Sequence, residues 1–149
     1  MTPRRLDWRA VQPKLRKIDE LLGRLRQLGE FDEKRLQTDH VDALAVERIL
    51  TLVVDLAFAV NSHAAAARLG RAPDTYAESF KLAAEIGLIT RELGAALAPS
   101  AGTRNVLVHG YLEIDYAQVA AAIPLALRDY SEYVRQTAQW MREHAEHDE

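Results

Sequence analysis

Apolar residues recur every three or four positions along most of the chain. No stretch alternates apolar and polar residues as a half-buried strand does. The pattern predicts four long helices and short extra turns. The first runs from Pro13, a residue suited to a first turn, to Gln27 or Leu28. Leu15, Ile18, Leu22 and Leu25 form its apolar stripe, and Gly29 ends it. Residues 7–12 read as an earlier turn kinked at Pro13, and Glu30 to Thr38 as a charged loop. The second helix runs from Asp39 to Leu69, with Gly70 as its cap. Val41, Leu44, Arg48, Leu52, Leu56, Ala59 and His63 recur along it at helical spacing. At 1.5 Å per residue it reaches about 45 Å, the length of a spine for the fold.

Thr75 and Glu78 form a capping box that opens a short helix over Tyr76 to Ile86, closed by Gly87. Another helix starts after Thr90 and carries Leu93 and Leu97. It is interrupted at Pro99 and Gly102 and resumes through Val108. Asp115 caps the last helix, Tyr116 to about His144, which Pro124 kinks. Short loops between long amphipathic helices imply an all-α fold. The expected form is an antiparallel up-and-down bundle of four to five helices, one domain over residues 1–149.

Composition narrows the chemistry. The absence of cysteine excludes a disulfide scaffold, thiol catalysis and the usual structural zinc sites. No apolar run is long enough to span a bilayer and no signal-peptide pattern is present, so the expected location is the cytoplasm. A net charge of −3 argues against a protein that coats nucleic acid non-specifically. It leaves a local basic site open, because residues 1–75 carry 13 basic and 11 acidic side chains against 6 and 11 in the remainder.

Phosphate-cradling glycine loops, His-Glu-x-x-His and nucleophile elbows are absent. The unusual stretch is Gly102 to Tyr111, which sets Arg104, His109 and Tyr111 around the apolar triplet Val106-Leu107-Val108. An arginine binds phosphate bidentately, an imidazole exchanges protons near neutrality, and Tyr111 adds a hydroxyl. On one regular helix Arg104 and His109 stand about 140° apart. They meet if the helix ends at His109 with Gly110 left-handed, or if a second copy of the site completes the first across a dimer axis. Asn105, four residues before His109, is placed to hydrogen-bond the imidazole. From spacing alone, a capped helix end whose arginine pairs with an acid and whose tyrosine packs on a neighbour is an equal alternative.

Arg104-Asn105-x-Leu107-Val108-His109-x-Tyr111 resembles the Arg-x4-His-x-Tyr signature of HepT-like toxins, small helical ribonucleases of the HEPN superfamily. Glu47-Arg48 followed by Asp55 is similar to that family's second helix. The pattern Pro73-x-x-Tyr76-x-x-x-Phe80-x-x-Ala83-x-x-x-Gly87-x-Ile89 is similar to its middle segment, and Glu113-Ile114-Asp115 also fits. The resemblance implies a homodimer whose catalytic Arg104 and His109 face a cleft at the dimer interface and cleave RNA without a metal or cofactor. It also implies a type VII-like toxin, with a small nucleotidyltransferase antitoxin that in some systems adds AMP to the motif tyrosine, here Tyr111. Asn105, Asp55 and Glu47 are the expected supporting residues. The alternative is a non-catalytic, nucleotide-binding helical subunit of a nucleotidyltransferase, in which Arg104 holds a phosphate and His109 is structural.

Other polar residues stay open. His63 on the second helix reads as a satisfied buried or interface histidine, or as a catalytic one. Asp55 reads as a partner of Arg104 or His109 across the bundle, or else as a partner of Arg48 or an exposed charge. His144 and His147 read as a solvated terminus rather than a metal pair. Trp8 and Trp140 read as core or dimer-contact aromatics, and Arg68 and Arg71 as charges suited to a helix C-terminus.

Overall fold

The computed structural model describes residues 5–110 and 112–145. Tyr111, the expected AMP acceptor, and His147 lie outside them. The described residues form seven α-helices: α1 Trp8–Gln27, α2 Glu33–Thr38, α3 His40–Leu69, α4 Tyr76–Glu85, α5 Arg91–Leu97, α6 Pro99–His109 and α7 Tyr116–His144. The all-helical class is as expected. The segment count is higher because a charged stretch folds into a helix and the motif helix is divided in two.

α1 begins five residues earlier than its proline suggested. The Asp7 side chain accepts the Arg9 N–H at 2.9 Å and caps the helix there. Pro13 lies inside α1. So close to the start it removes a single hydrogen bond, and burial of Val11 and Leu15 holds the first turns in place. At the other end Gly29 turns the chain with φ 88°.

The charged loop of the sequence reading contains α2. Asp32 caps it by accepting the Arg35 N–H at 2.8 Å, and Leu36 is fully buried. Arg35 explains why so many charges sit together. Its guanidinium donates to the carbonyls of Glu30 and Leu28, pairs with Asp42 at 2.9 Å and lies 3.9 Å above the Phe31 ring. One side chain thus closes the loop onto the start of α3.

α3 is the spine, capped at Asp39 and stopped by left-handed Gly70. Its buried face is Val46, Leu50, Val53, Val54, Ala57, Val60 and Ala64. This corrects the stripe read from the sequence: Val41 and Leu44 are 77% and 67% exposed, Arg48 is exposed, and Leu52, Leu56, Ala59 and His63 are only partly covered. The helix is apolar on two faces, so helical spacing identified a real stripe beside the core-facing one, exposed at Val41 and Leu44 and packed on the core's margin at Leu52 and Leu56.

α3 packs against α1, α2, α4, α6 and α7. Phe80, Tyr130 and Tyr133 meet edge to face at 6.0–6.4 Å in the centre. The Tyr133 hydroxyl donates to the Asn61 amide oxygen at 2.6 Å, and the Asn61 amide donates to the Ser79 hydroxyl at 3.2 Å, so these buried polar groups are satisfied. Trp140 joins this core, in keeping with its expected place. Between α5 and α6 the backbone stays helical through Ala98, with Pro99 at the first position of α6. Gly102 lies within α6 without interrupting it. α7 runs through Pro124 and starts at Asp115, whose carboxylate accepts the Ala117 and Gln118 N–H groups.

Candidate active site

Arg104 lies in the second turn of α6 and reaches across to α3. Its Nε donates to Asp55 Oδ1 at 3.0 Å, and its side chain is 19% exposed. The guanidinium carbon stands 4.6 Å from the centroid of the Tyr76 ring. Phe58, one turn after Asp55 on α3, stacks on that ring at 4.1 Å and 12°. The first residue of α4 is therefore placed between α3 and α6. Its position is set by the capping box: the Thr75 hydroxyl accepts the Glu78 N–H at 3.0 Å, while the Glu78 carboxylate accepts the Asp74 N–H at 2.9 Å.

Burial pushes the Tyr76 phenol above its ordinary value. The Asp55 carboxylate, which the hydroxyl faces, acts in the same direction, and the nearby Arg104 charge opposes both. On another side Arg104 borders a mostly apolar cavity shared with Leu50, Val54, Leu97, Ala126 and Tyr130. An ion pair against such a wall is less screened than one on an open surface.

His109, the last residue of α6, is exposed, and its ring has no hydrogen-bond partner among the described residues. The helix ends there as anticipated, but Gly110 is not left-handed: its φ is −98°. Glycine is needed for another reason. The Gly110 N–H bonds the Val106 carbonyl at 2.7 Å, and a Cβ at this position would lie 2.8 Å from the same oxygen.

A ribonuclease family model, HepT-like, matches residues 18–137. The chain belongs to the HepT-like ribonuclease family. The tRNA nuclease HepT of Aphanizomenon flos-aquae is 38% identical over 122 residues, covering 78% of this chain and 82% of that protein. The mRNA nuclease HepT of Shewanella oneidensis is 27% identical over 125 residues, covering 81% and 90%. Among solved structures, the tri-AMPylated Shewanella oneidensis HEPN toxin in complex with MNT antitoxin superposes with TM-score 0.78 at 22% identity, covering 90% of this chain and 99% of that one. YutE from Bacillus subtilis, a cytosolic protein of unknown function, superposes with TM-score 0.80 at 16% identity, covering 93% and 92%. These two likenesses show the fold.

In this HepT-like chain the fold brings Arg104 and Asp55 together, and it leaves the other expected supporting residues elsewhere. Asn105 does not bond the imidazole. Its amide oxygen lies 3.4 Å from Arg104 Nη1, because the side chain turns back along α6 toward its charged neighbour. Glu47 lies two turns before Asp55 on α3, and no hydrogen bond or ion pair joins it to Arg104 or His109 among the described residues. Burial raises its carboxyl pKa. Arg48 is exposed, and the partner of Asp55 is Arg104.

His63 and His144 have structural contacts. His63 Nε2 accepts the Asp7 N–H at 3.0 Å, which ties the start of α1 to α3. His144 stacks on Trp140 at 4.7 Å, with Nδ1 2.9 Å from the Trp140 carbonyl. Arg68 lies 5.5 Å over the Trp140 ring, and Arg71 pairs with Glu78 at 3.2 Å. No group of three His, Asp or Glu side chains among the described residues is arranged to hold a metal ion, and no described helix is long and apolar enough to cross a membrane.

The residues that sequence reasoning left without a role in the site are Tyr76 and Phe58. A signal for each was present. The capping box puts Tyr76 at a helix start, and Phe58 follows Asp55 by the three residues that make helix neighbours.

Proposed function

We propose that this protein is a metal-independent endoribonuclease and the toxin of a type VII-like toxin–antitoxin pair. The observation that carries the reading is Arg104, held on its inner edge by Asp55, with the exposed His109 five residues further along α6 and without a hydrogen-bond partner among the described residues. A fixed cation and an acid/base imidazole are what transphosphorylation of RNA requires, and because Gly110 is not left-handed the two are brought together by a second copy across a dimer axis. The 38% identity to a tRNA nuclease supports RNA as the substrate.

The 2′-oxygen of the RNA attacks the adjacent phosphorus and loses its proton to His109. The bond from phosphorus to the 5′-oxygen breaks, and that oxygen takes a proton from the partner subunit's His109. Arg104 stabilises charge on the non-bridging phosphoryl oxygens. The products are a 2′,3′-cyclic phosphate and a 5′-hydroxyl, with no step assigned to a metal or cofactor.

A homodimer supplies the second imidazole. Support for it lies on α3. At about 100° per residue, Val41, Leu44, Arg48, Leu52, Asp55 and Ala59 fall within about 80° of one another. The exposed apolar stripe thus shares a face with Asp55 at the site. The same reading makes a nucleotidyltransferase antitoxin the partner and Tyr111 its AMP acceptor. It is supported by the likeness to a toxin seen AMPylated and bound to its MNT antitoxin.

The test is purified protein incubated with total RNA in EDTA, with fragment 3′-ends mapped. Cleavage persists and leaves cyclic phosphates. Arg104→Ala and His109→Ala each lower the rate by about 10²–10⁴-fold at unchanged helical content. A variant that cleaves at the parental rate overturns the mechanism. Loss of cleavage in EDTA with recovery on adding one divalent ion overturns metal independence.

A further inference from the structure

We infer that Tyr76 is a positioning residue for RNA cleavage: its ring sets the plane of the Arg104 guanidinium and so aims that cation at the phosphate. This rests on the reading of Arg104 as the phosphate-binding cation.

Asp55 holds Arg104 through a single N–H, the one on Nε, and the other contact, Nη1 to the exposed Asn105, is long at 3.4 Å. A guanidinium held this way still swings about the Nε bond, and its outer Nη groups sweep through several directions. Binding a phosphate in a defined geometry needs the plane fixed as well, because the fork presents its donors in that plane. The ring of Tyr76 lies 4.6 Å from the guanidinium carbon, within the range of a cation–π contact. Phe58 occupies one face of the ring at 4.1 Å, which leaves the other for Arg104. Phe58, Tyr76 and Arg104 thus form a stack supplied by α3, α4 and α6, with its middle member fixed by the helix cap at Thr75.

Tyr76 also faces the acid of the pair. Asp55 pushes the phenol's pKa up while Arg104 lowers it, so the ring lies near both members of the ion pair. A guanidinium aimed before RNA arrives costs less ordering in the transition state, and that advantage appears in kcat rather than in KM.

The experiment uses the full chain in two measurements. One is hydrogen exchange of the Arg104 Nε–H, followed by NMR on ¹⁵N-labelled protein. The other is steady-state cleavage of an RNA oligonucleotide. In Tyr76→Leu, Nε–H exchange accelerates and kcat falls about tenfold or more while KM stays within about threefold. Tyr76→Phe keeps the stack and retains kcat within about threefold. In an Arg104→Ala background Tyr76→Leu has no further effect. Tyr76→Met takes the place of the leucine variant if thermal melting shows the latter unfolded.

Unchanged Nε–H exchange in the aliphatic variant overturns the inference, and so does accelerated exchange at parental kcat. A Tyr76→Phe protein as impaired as Tyr76→Leu overturns the role of the stack. Wild-type protein that cleaves no RNA removes the nuclease reading instead, and the exchange measurement then decides by itself whether Tyr76 holds Arg104.

Discussion

Glu47 shows how burial alone changes the behaviour of a side chain. It lies on the same helix as Asp55, but no cation pairs with it among the described residues, and burial raises its carboxyl above the ordinary glutamate value. The unfolded chain has no such burial, so the folded state binds its proton more tightly. Between the unfolded and the raised folded values the native protein carries more protons than the unfolded one, and stability falls as pH rises through that window. Glu47→Gln removes this contribution. Denaturant midpoints measured from pH 4 to 7 are expected to fall less steeply for the variant than for the parent across the window just above 4.5. Parallel curves would show that burial of this carboxyl does not differ between the two states.

Among the elements, α4 links local sequence most directly to the site. Its first residue is Tyr76, so anything that frays the first turn moves the ring under Arg104. Thr75→Ala deletes the hydroxyl that accepts the Glu78 N–H. The expected loss is about 1 kcal/mol of stability. RNA cleavage is expected to fall by more than this stability loss accounts for at temperatures where the protein stays folded. Thr75→Ser keeps the cap and restores both. Chemical denaturation and cleavage rates on the same samples check it, and a Thr75→Ala protein with full activity would show that the ring does not depend on the cap. This element was legible because its signals are local: a capping hydroxyl and a glycine with φ 88° at Gly87. α2 was not legible. Its stability comes from Leu36 in the core and from the contacts of Arg35 to Leu28 and Asp42, each seven residues away.

At the scale of the molecule, the stripe of α3 leaves Val41 and Leu44 exposed among the described residues. Val41 and Leu44 bury little in the monomer, so replacing them leaves the core intact. The double variant Val41→Lys, Leu44→Lys places new charges beside Arg48 on the face proposed to meet its own copy. Sedimentation is expected to show the parent as a dimer and the variant as a monomer. Cleavage is expected to fall about 10²-fold or more, because a lone subunit has one motif imidazole for two proton transfers. Melting temperature guards against unfolding as the cause. A monomeric parent with full activity, or a variant that stays dimeric and active, would remove the composite site.

The sequence by itself determined what depends on neighbours along the chain: the all-helical class, the caps at Thr75, Thr90 and Asp115, the stop at Gly70, and the spacing of Arg104 and His109 that carries the family signature. These follow from backbone hydrogen bonding and allowed dihedrals, which act over a few residues. The tertiary structure alone decided which apolar face of α3 enters the core, since spacing shows that a face is apolar and only the packed neighbours show whether it is covered. It also decided that Arg104 meets Asp55, 49 positions away, and that Tyr76 lies against the guanidinium. Those contacts join three helices, and their geometry is set by how α3, α4 and α6 pack together, which no local pattern in the chain encodes.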